Sequence, residues 1–363
     1  MILLNSPRIM RIAFIQDHLR NGGTENQTLH IAHGLASEGI ETHVIVFRQG
    51  GILDDKADAS AFHLHFLNQG PFKTDWFAPG LDALLRSLEV DIVIAMGRMG
   101  NCHAGLLCRN KRSYRNIATF RTGKTIPWLQ RRALRKADHI IANSQEALAR
   151  ISTQYNIERP ESTVIYNGCI RNIEATSASA QSTPIRLVSA SMFRPEKKQQ
   201  RLLRICKRLP EQIDWRLTLA GDGSERSACI AEAKRLGLAD RVDFPGLLSD
   251  PNALYQESHI AVHASAKESL PNFLVEAQMA GLPVIAYNVG GVAETFLPDQ
   301  SGILIESADE DRFVEALEKL AQSPDLRLQM SEAARNYARL NFTPKAQLQT
   351  YINLLNELIS RPA

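Results

Sequence analysis

Short apolar runs alternate along most of this chain with segments whose apolar positions recur every three or four residues. That alternation predicts strands followed by helices, and strands that read as near-continuous apolar runs belong to parallel sheets covered by helices on both faces. In the first half the strands fall at MRIAFIQ (10–16), HVIVF (43–47), AFHLHFL (61–67), DIVIAM (91–96), NIATF (116–120), HIIAN (139–143) and TVIYN (163–167). In the second they fall at IRLVSAS (185–191), WRLTLAG (215–221), RVDF (241–244), HIAVHA (259–264), PVIAY (283–287) and GILI (302–305). Between the two sets lies RNIEATSASAQSTP (171–184), polar and without periodicity, which reads as a linker and a hinge for domain closure. The expected division is therefore 1–170, linker 171–184, and 185–344. A last helical stripe (Leu348, Tyr351, Ile352, Leu355, Leu358 and Ile359) follows from residue 345 to the end.

Length agrees with two domains, since 363 residues exceed what one ordinary core holds. No stretch reaches the length of a membrane span, and the opening MILLNSPR breaks at Asn5 and Pro7 rather than continuing as a secretory signal. Five cysteines (102, 108, 169, 206 and 229) lack paired C-x-x-C spacing and read as reduced thiols of a cytoplasmic protein. Charge changes the picture more. Residues 1–170 carry 20 basic and 15 acidic side chains, the remainder 22 and 24. From Ile92 to Ala137 there is no acid, against Arg98, Arg109, Lys111, Arg112, Arg115, Arg121, Lys124, Arg131, Arg132, Arg135 and Lys136. Such a face suits anionic lipid headgroups or a phosphorylated acceptor, although a solvated helix face explains Arg131, Arg132, Arg135 and Lys136 equally well. Nucleic acid is excluded as the expected partner, because no interleaved aromatics or binding motif accompany the cations.

The chemistry concentrates in SAKESLPNFLVEAQMAGLPVIAYNVGG (265–291). Glu268 stands in the loop after a buried strand, and Glu276 projects from the first turns of the following helix, which Pro271 opens and Gly281 closes. The amides of Ser269, Leu270 and Asn272 belong to that helix start and suit a phosphate, while two carboxylates suit vicinal hydroxyls. A nucleoside diphosphate sugar carries both. Paired glutamates near a helix start are more often dipole compensation. The longer string E-x7-E, A-x-x-x-G-x-P-V-I-A and G-G-V-A-E, however, resembles the donor-site signature of glycosyltransferase family 4, the retaining GT-B enzymes.

That resemblance spans nearly the whole chain and is strongest from 185 to 306. It implies an α/β GT-B fold, two Rossmann-like parallel-sheet domains facing a cleft, with a nucleotide-sugar donor in the second and an acceptor in the first. The final helix is implied to cross back onto the first domain. Glu268 would contact the transferred sugar, and Glu276 the ribose. The Ser269 and Leu270 amides would bind phosphate. Arg194, Lys197 and Lys198, in LVSASMFRPEKKQQRLL, would neutralise the diphosphate leaving group; the family's arginine position holds Met192, so Arg194 enters as a displaced substitute. Gly221 in LAGDGSERS, which starts a helix at Ser224, and the Gly246, Leu247 and Leu248 loop would frame the base. Gly22 and Gly23 resemble the family's first glycine-rich loop. Asn143, Ser144, Asn167 and Gly168 match the segment ending the first domain, with Ser144 read as a helix cap and Asn167-Gly168 as a turn. Arg121 occupies the place of a frequent family histidine and is expected in the site as a cation.

No metal or other cofactor is expected. His63 and His65 alternate on one strand without a third ligand at matching spacing, and Asp309-Glu310-Asp311 after Ser307 reads as a helix cap rather than a D-x-D metal motif. The expected reaction is retaining transfer of a sugar to a hydroxyl of a glycolipid or glycan, such as a lipopolysaccharide core, at the inner face of the cytoplasmic membrane. Two alternatives stay open: a soluble or protein acceptor, and a non-catalytic scaffold that binds nucleotide sugar.

Overall fold

The computed structural model describes residues 9–20, 22–58, 61–67, 78–107, 113–158, 161–306 and 309–361. Expectations for MILLNSPR, Cys108, Arg109, Lys111, Arg112 and Ser307 lie outside the described residues.

The chain divides into two compact units, residues 1–170 with 344–363, and residues 171–343. In the first, seven strands form one parallel sheet: β1 (Arg11–His18), β2 (Glu41–Arg48), β3 (His63–Phe66), β4 (Ile92–Ala95), β5 (Arg115–Phe120), β6 (His139–Ala142) and β7 (Ser162–Val164), in the order β3-β2-β1-β4-β5-β6-β7. Its helices are α1 (Gly23–Ser37), α2 (Asp54–Asp58), α3 (Leu81–Ser87), α4 (Gly97–Leu107), α5 (Trp128–Lys136) and α6 (Gln145–Thr153). Strands β1, β2 and β4 are buried on both faces, which is why their sequences read as unbroken apolar runs.

The second unit has six parallel strands: β8 (Ile185–Ala190), β9 (Trp215–Ala220), β10 (Val242–Gly246), β11 (Ile260–His263), β12 (Val284–Tyr287) and β13 (Gly302–Ile305), ordered β10-β9-β8-β11-β12-β13. Helices α7 (Gln199–Lys207), α8 (Arg226–Arg235), α9 (Asn252–Gln256), α10 (Asn272–Ala280), α11 (Glu310–Gln322) and α12 (Pro324–Asn341) complete it. In both sheets the strand order reverses next to the first strand, the arrangement of doubly wound nucleotide-binding folds. Helix α8 begins at Arg226 rather than Ser224, because residues 221–225 are used by a turn in which Gly221 and Gly223 have φ of 132° and 143°.

Two findings bear on organisation. The segment 171–184 is not a free linker. Thr176 N–H donates to Ala280 O at 2.8 Å, Ser177 and Ala178 N–H to Gln256 O at 3.0 Å, and Asn252 Nδ2 to Asn172 O at 2.7 Å, so it is stitched onto the second unit. The last helix, α13 (Pro344–Ser360), joins the first unit: Tyr351, Leu354, Leu355 and Leu358 sit in one apolar cluster with Ile12, Phe14, Leu29 and Leu35. Leu348 lies so close to Gly34 on α1 that a Cβ there would come within 2.9 Å of it. Gln347 Nε2 donates to Gln27 Oε1 and to Tyr166 O, each at 2.9 Å.

Candidate active site

The switch point of the second sheet lies between β8 and β11, and the expected site residues gather after these strands. Beyond β8, the turn Pro195–Lys197 is a short 3-10 helix whose Glu196 carbonyl accepts from Ala266 N–H at 2.7 Å and from Ser265 Oγ at 3.1 Å. These bonds lock the two loops together and bring Lys197 to Glu268. Lys197 Nζ donates to Glu268 Oε1 at 2.6 Å. His263, the last residue of β11, places Nε2 at 2.7 Å from the same oxygen. Burial alone would raise the Glu268 pKa, but the bonds and charges of His263 and then Lys197 outweigh it and hold the carboxyl at about 2. Gly290 explains the G-G string. It has φ 55°, and a Cβ on it would lie 2.2 Å from the Glu268 carbonyl oxygen, while Gly291 N–H donates to Ser269 O at 3.0 Å. The loop after β12 therefore buttresses the loop that carries Glu268.

Glu276 is held differently. Its Oε2 accepts from the Tyr255 hydroxyl at 2.8 Å, and Arg171 Nε stands 3.4 Å from Oε1. Burial raises its pKa more than these partners lower it. Glu276, Asn272, Gly221, Leu247 and Leu248 line one cavity of about 200 Å³ with Arg171, Met192 and Tyr255. Gly246 has φ 82°, and its carbonyl accepts from Gly221 N–H at 2.7 Å, which ties the two candidate base loops together. Gly221 itself admits no side chain, since a Cβ would lie 2.1 Å from Ser191 O. Ser269, Leu270 and Pro271 are buried at the start of α10, Pro271 as its N-cap rather than its first helical residue, and Gly281 ends the helix at φ 79°.

Other expected residues stand elsewhere. Arg194 and Lys198 open onto a second cavity, about 250 Å³, with Arg201, Arg204 and Glu225, and neither lines the Glu276 cavity. Lys198 has φ 54°, an uncommon conformation for a side-chain-bearing residue. Arg121 follows β5 in the first unit; its Nη2 donates to Asn167 Oδ1, and its Nη1 is buried. Burial lowers the guanidinium pKa, and Tyr351 of α13 partly offsets that. Gly22 caps α1 and Gly23 begins it. Ser144 Oγ accepts from Ala147 N–H at 3.0 Å and Asp309 Oδ1 from Arg312 N–H at 3.0 Å, so both are helix caps. His43, opposite His63 in the ladder, supplies a third imidazole that sequence spacing hid, with Nδ1 at 3.1 Å from His65 Nε2. Among the described residues no group of three or more His, Cys, Asp or Glu is arranged to hold a metal ion, and no helix is long and apolar enough to cross a membrane.

Residues 21–170 match the family model "Glycosyltransferase Family 4", and residues 171–337 match "Glycosyl transferases group 1". The chain belongs to glycosyltransferase family 4. Among its relatives, the lipopolysaccharide core biosynthesis glycosyltransferase LpsE of Rhizobium meliloti is 24% identical over 93% of this chain and 96% of its own length. The Vi polysaccharide biosynthesis protein VipC/TviE of Salmonella typhi is 31% identical over 39% of this chain but only 25% of its own length. With several such relatives the chain shares less than half of their length. Anabaena HepE, solved in complex with UDP, superposes with a TM-score of 0.82 at 21% identity, over 96% of this chain and all of that one. The lipopolysaccharide outer core galactosyltransferase WaaB superposes with a TM-score of 0.77 at 18% identity, over 96% and 99%. These likenesses establish the GT-B fold of the family 4 chain.

Three residues at this candidate site, His263, Tyr255 and Arg171, are not among those that the sequence motifs of the family 4 chain name. A histidine ending a buried strand five residues before a candidate glutamate was the available signal for the first. Arg171 lies in the polar segment without periodicity, and Tyr255 in a five-residue helix too short to show any.

Proposed function

We propose that this chain is a retaining, metal-independent glycosyltransferase. It moves a sugar from a nucleoside diphosphate sugar to a hydroxyl of a glycolipid or glycan in cell-envelope polysaccharide or lipopolysaccharide synthesis. The observation that carries this reading is the pair of glutamates after β11, one buried and bound to a lysine and a histidine, the other partly exposed and lining a cavity walled by glycine backbone. A cavity of about 200 Å³ suits a nucleoside, with Glu276 accepting from ribose hydroxyls and the Gly221 and Gly246–Leu248 backbone facing the base. Lys197 and the Ser269 and Leu270 amides would take the diphosphate, stabilising the charge that develops as the sugar–phosphate bond breaks. Glu268 would orient the sugar's hydroxyls. Names of relatives give further support: LpsE for the envelope pathway and HepE for UDP. The chain would work on the cytoplasmic side, at the inner face of the membrane.

Thermal stabilisation by UDP, GDP and ADP, then by their sugars, tests the donor site, since a ligand of the native state raises apparent stability. Glu276→Ala is expected to weaken binding of the free nucleotide, and Glu268→Ala to spare it while abolishing turnover. No stabilisation by any of the three nucleotides would sink the reading. A scaffold that binds nucleotide sugar without turnover is the second reading, favoured by Met192 lining the cavity while Arg194 opens elsewhere. Release of nucleoside diphosphate from a nucleotide sugar separates the two.

A further inference from the structure

Glu268 receives two donors on one oxygen. Lys197 Nζ and His263 Nε2 approach Oε1 at 2.6 and 2.7 Å, and neither touches Oε2. The two donors differ in mobility. Lys197 is a long, flexible side chain on a short turn, whereas His263 ends a strand hydrogen-bonded on both sides, is 2% exposed, and packs its ring 5.9 Å from that of Phe273. A diphosphate arriving at this turn competes with Glu268 for the lysine, because phosphate oxygens carry more charge and offer more acceptors. If Lys197 were the sole donor, a carboxylate 9% exposed would then be left unsatisfied, at a cost that favours its swinging away or taking up a proton.

We propose that His263 is a positioning residue: it keeps Glu268 fixed when Lys197 turns to the diphosphate, leaving Oε2 directed at the donor sugar. A carboxylate only accepts when ionised, so the contact places an imidazole proton on Nε2. The proposal rests on the donor-site reading above and adds to it a residue that touches neither sugar nor phosphate.

The test uses the full chain and its variants His263→Leu, His263→Gln and Glu268→Gln. Calorimetry measures binding of UDP, GDP and ADP and of UDP-glucose, GDP-mannose and ADP-glucose, and a coupled assay measures nucleoside diphosphate release. His263→Leu is expected to leave the Kd of the free diphosphate within about twofold while lowering kcat at least tenfold. His263→Gln, whose amide can reach the same oxygen, is expected to recover most of that loss. In the Glu268→Gln background, His263→Leu should cost little more, because both act through one carboxylate. Equal losses for free diphosphate and sugar nucleotide, full activity of His263→Leu, or Leu and Gln variants impaired alike would each overturn the proposal. Wild-type behaviour of Glu268→Gln, or no binding of any of the three diphosphates, would instead overturn the donor-site reading beneath it.

Discussion

Glu268 and Glu276 are eight residues apart, the first buried and the second partly exposed, and their surroundings push them in opposite directions. Glu268 lies below the ordinary value of 4.5, at about 2, so its ionised form stabilises the fold above the unfolded-state pKa. That stabilisation, on the order of 3 kcal/mol, is lost as pH falls from about 4.5 through about 2. Urea unfolding of wild type and Glu268→Gln should therefore show a gap at pH 7 that closes toward pH 2; a constant gap would deny the ion cluster its role. Glu276 has the reverse sign. Its raised pKa means that stability is greater when it is protonated and declines as pH rises through the folded value. Glu276→Gln is accordingly expected to raise Tm at pH 7, by about 2–4 °C for each kcal/mol recovered, while weakening nucleotide binding. At this scale the sequence names candidate residues but not where long side chains point. Arg194, Lys197 and Lys198 are neighbours in the chain, yet only Lys197 reaches Glu268, because the 3-10 turn and the left-handed Lys198 send the others to a different cavity.

Elements were more legible than side-chain directions. All thirteen strands coincide with apolar runs in the sequence, near-continuous in β4, β6, β11 and β12, which are buried along their whole length, and broken by exposed residues such as Arg186 and Arg216 in β8 and β9. The attachment of 171–184 is not legible in the sequence, because main-chain N–H and C=O groups and scattered side chains such as Thr176 and Asn252 make it, and these leave no periodic trace in residue types. The Gly290 loop carries a direct prediction. A methyl there meets the Glu268 carbonyl at 2.2 Å in a left-handed conformation, so Gly290→Ala should lower stability by about 1–3 kcal/mol and reduce nucleotide-sugar turnover together. Denaturant melts and a donor-release assay on one preparation would check it; unchanged values in both would refute the buttress. Helix α5 carries another. It buries Gln130, Ala133 and Leu134, while Arg131, Arg135 and Lys136 are exposed and Trp128, at its start, is 62% exposed. An interfacial ring beside cations is the chemistry of an anionic bilayer surface. Flotation with phosphatidylglycerol vesicles should carry the protein, less so at high salt and less for Trp128→Ser; salt-insensitive binding or none would reject the membrane partner.

For the whole molecule, the division into units is uneven along the chain. Four α13 side chains, Tyr351, Leu354, Leu355 and Leu358, are buried in the first unit's apolar cluster. At about 2 kcal/mol each they supply roughly 8 kcal/mol, comparable with the entire stability of an ordinary domain. A chain ending at Thr343 should thus lose cooperative unfolding of its first unit, whereas residues 171–343 alone should melt as a single transition. Calorimetry of the two fragments would decide, and a cooperative first unit without α13 would contradict the packing argument. The amphipathic stripe of this helix is plain in the sequence, but only the family resemblance says which unit it joins, because a stripe specifies an apolar face and not the surface that receives it.

The placement of α13 also sets an order of events during synthesis. The first sheet leaves the ribosome early, but the part of its apolar cluster that α13 covers stays open until residues 344–360 emerge, about 180 positions after Val164. The middle of the polypeptide is complete sooner and can fold while the beginning waits. A nascent chain stalled before Pro344 is therefore expected to be the species that chaperones hold and proteases cut.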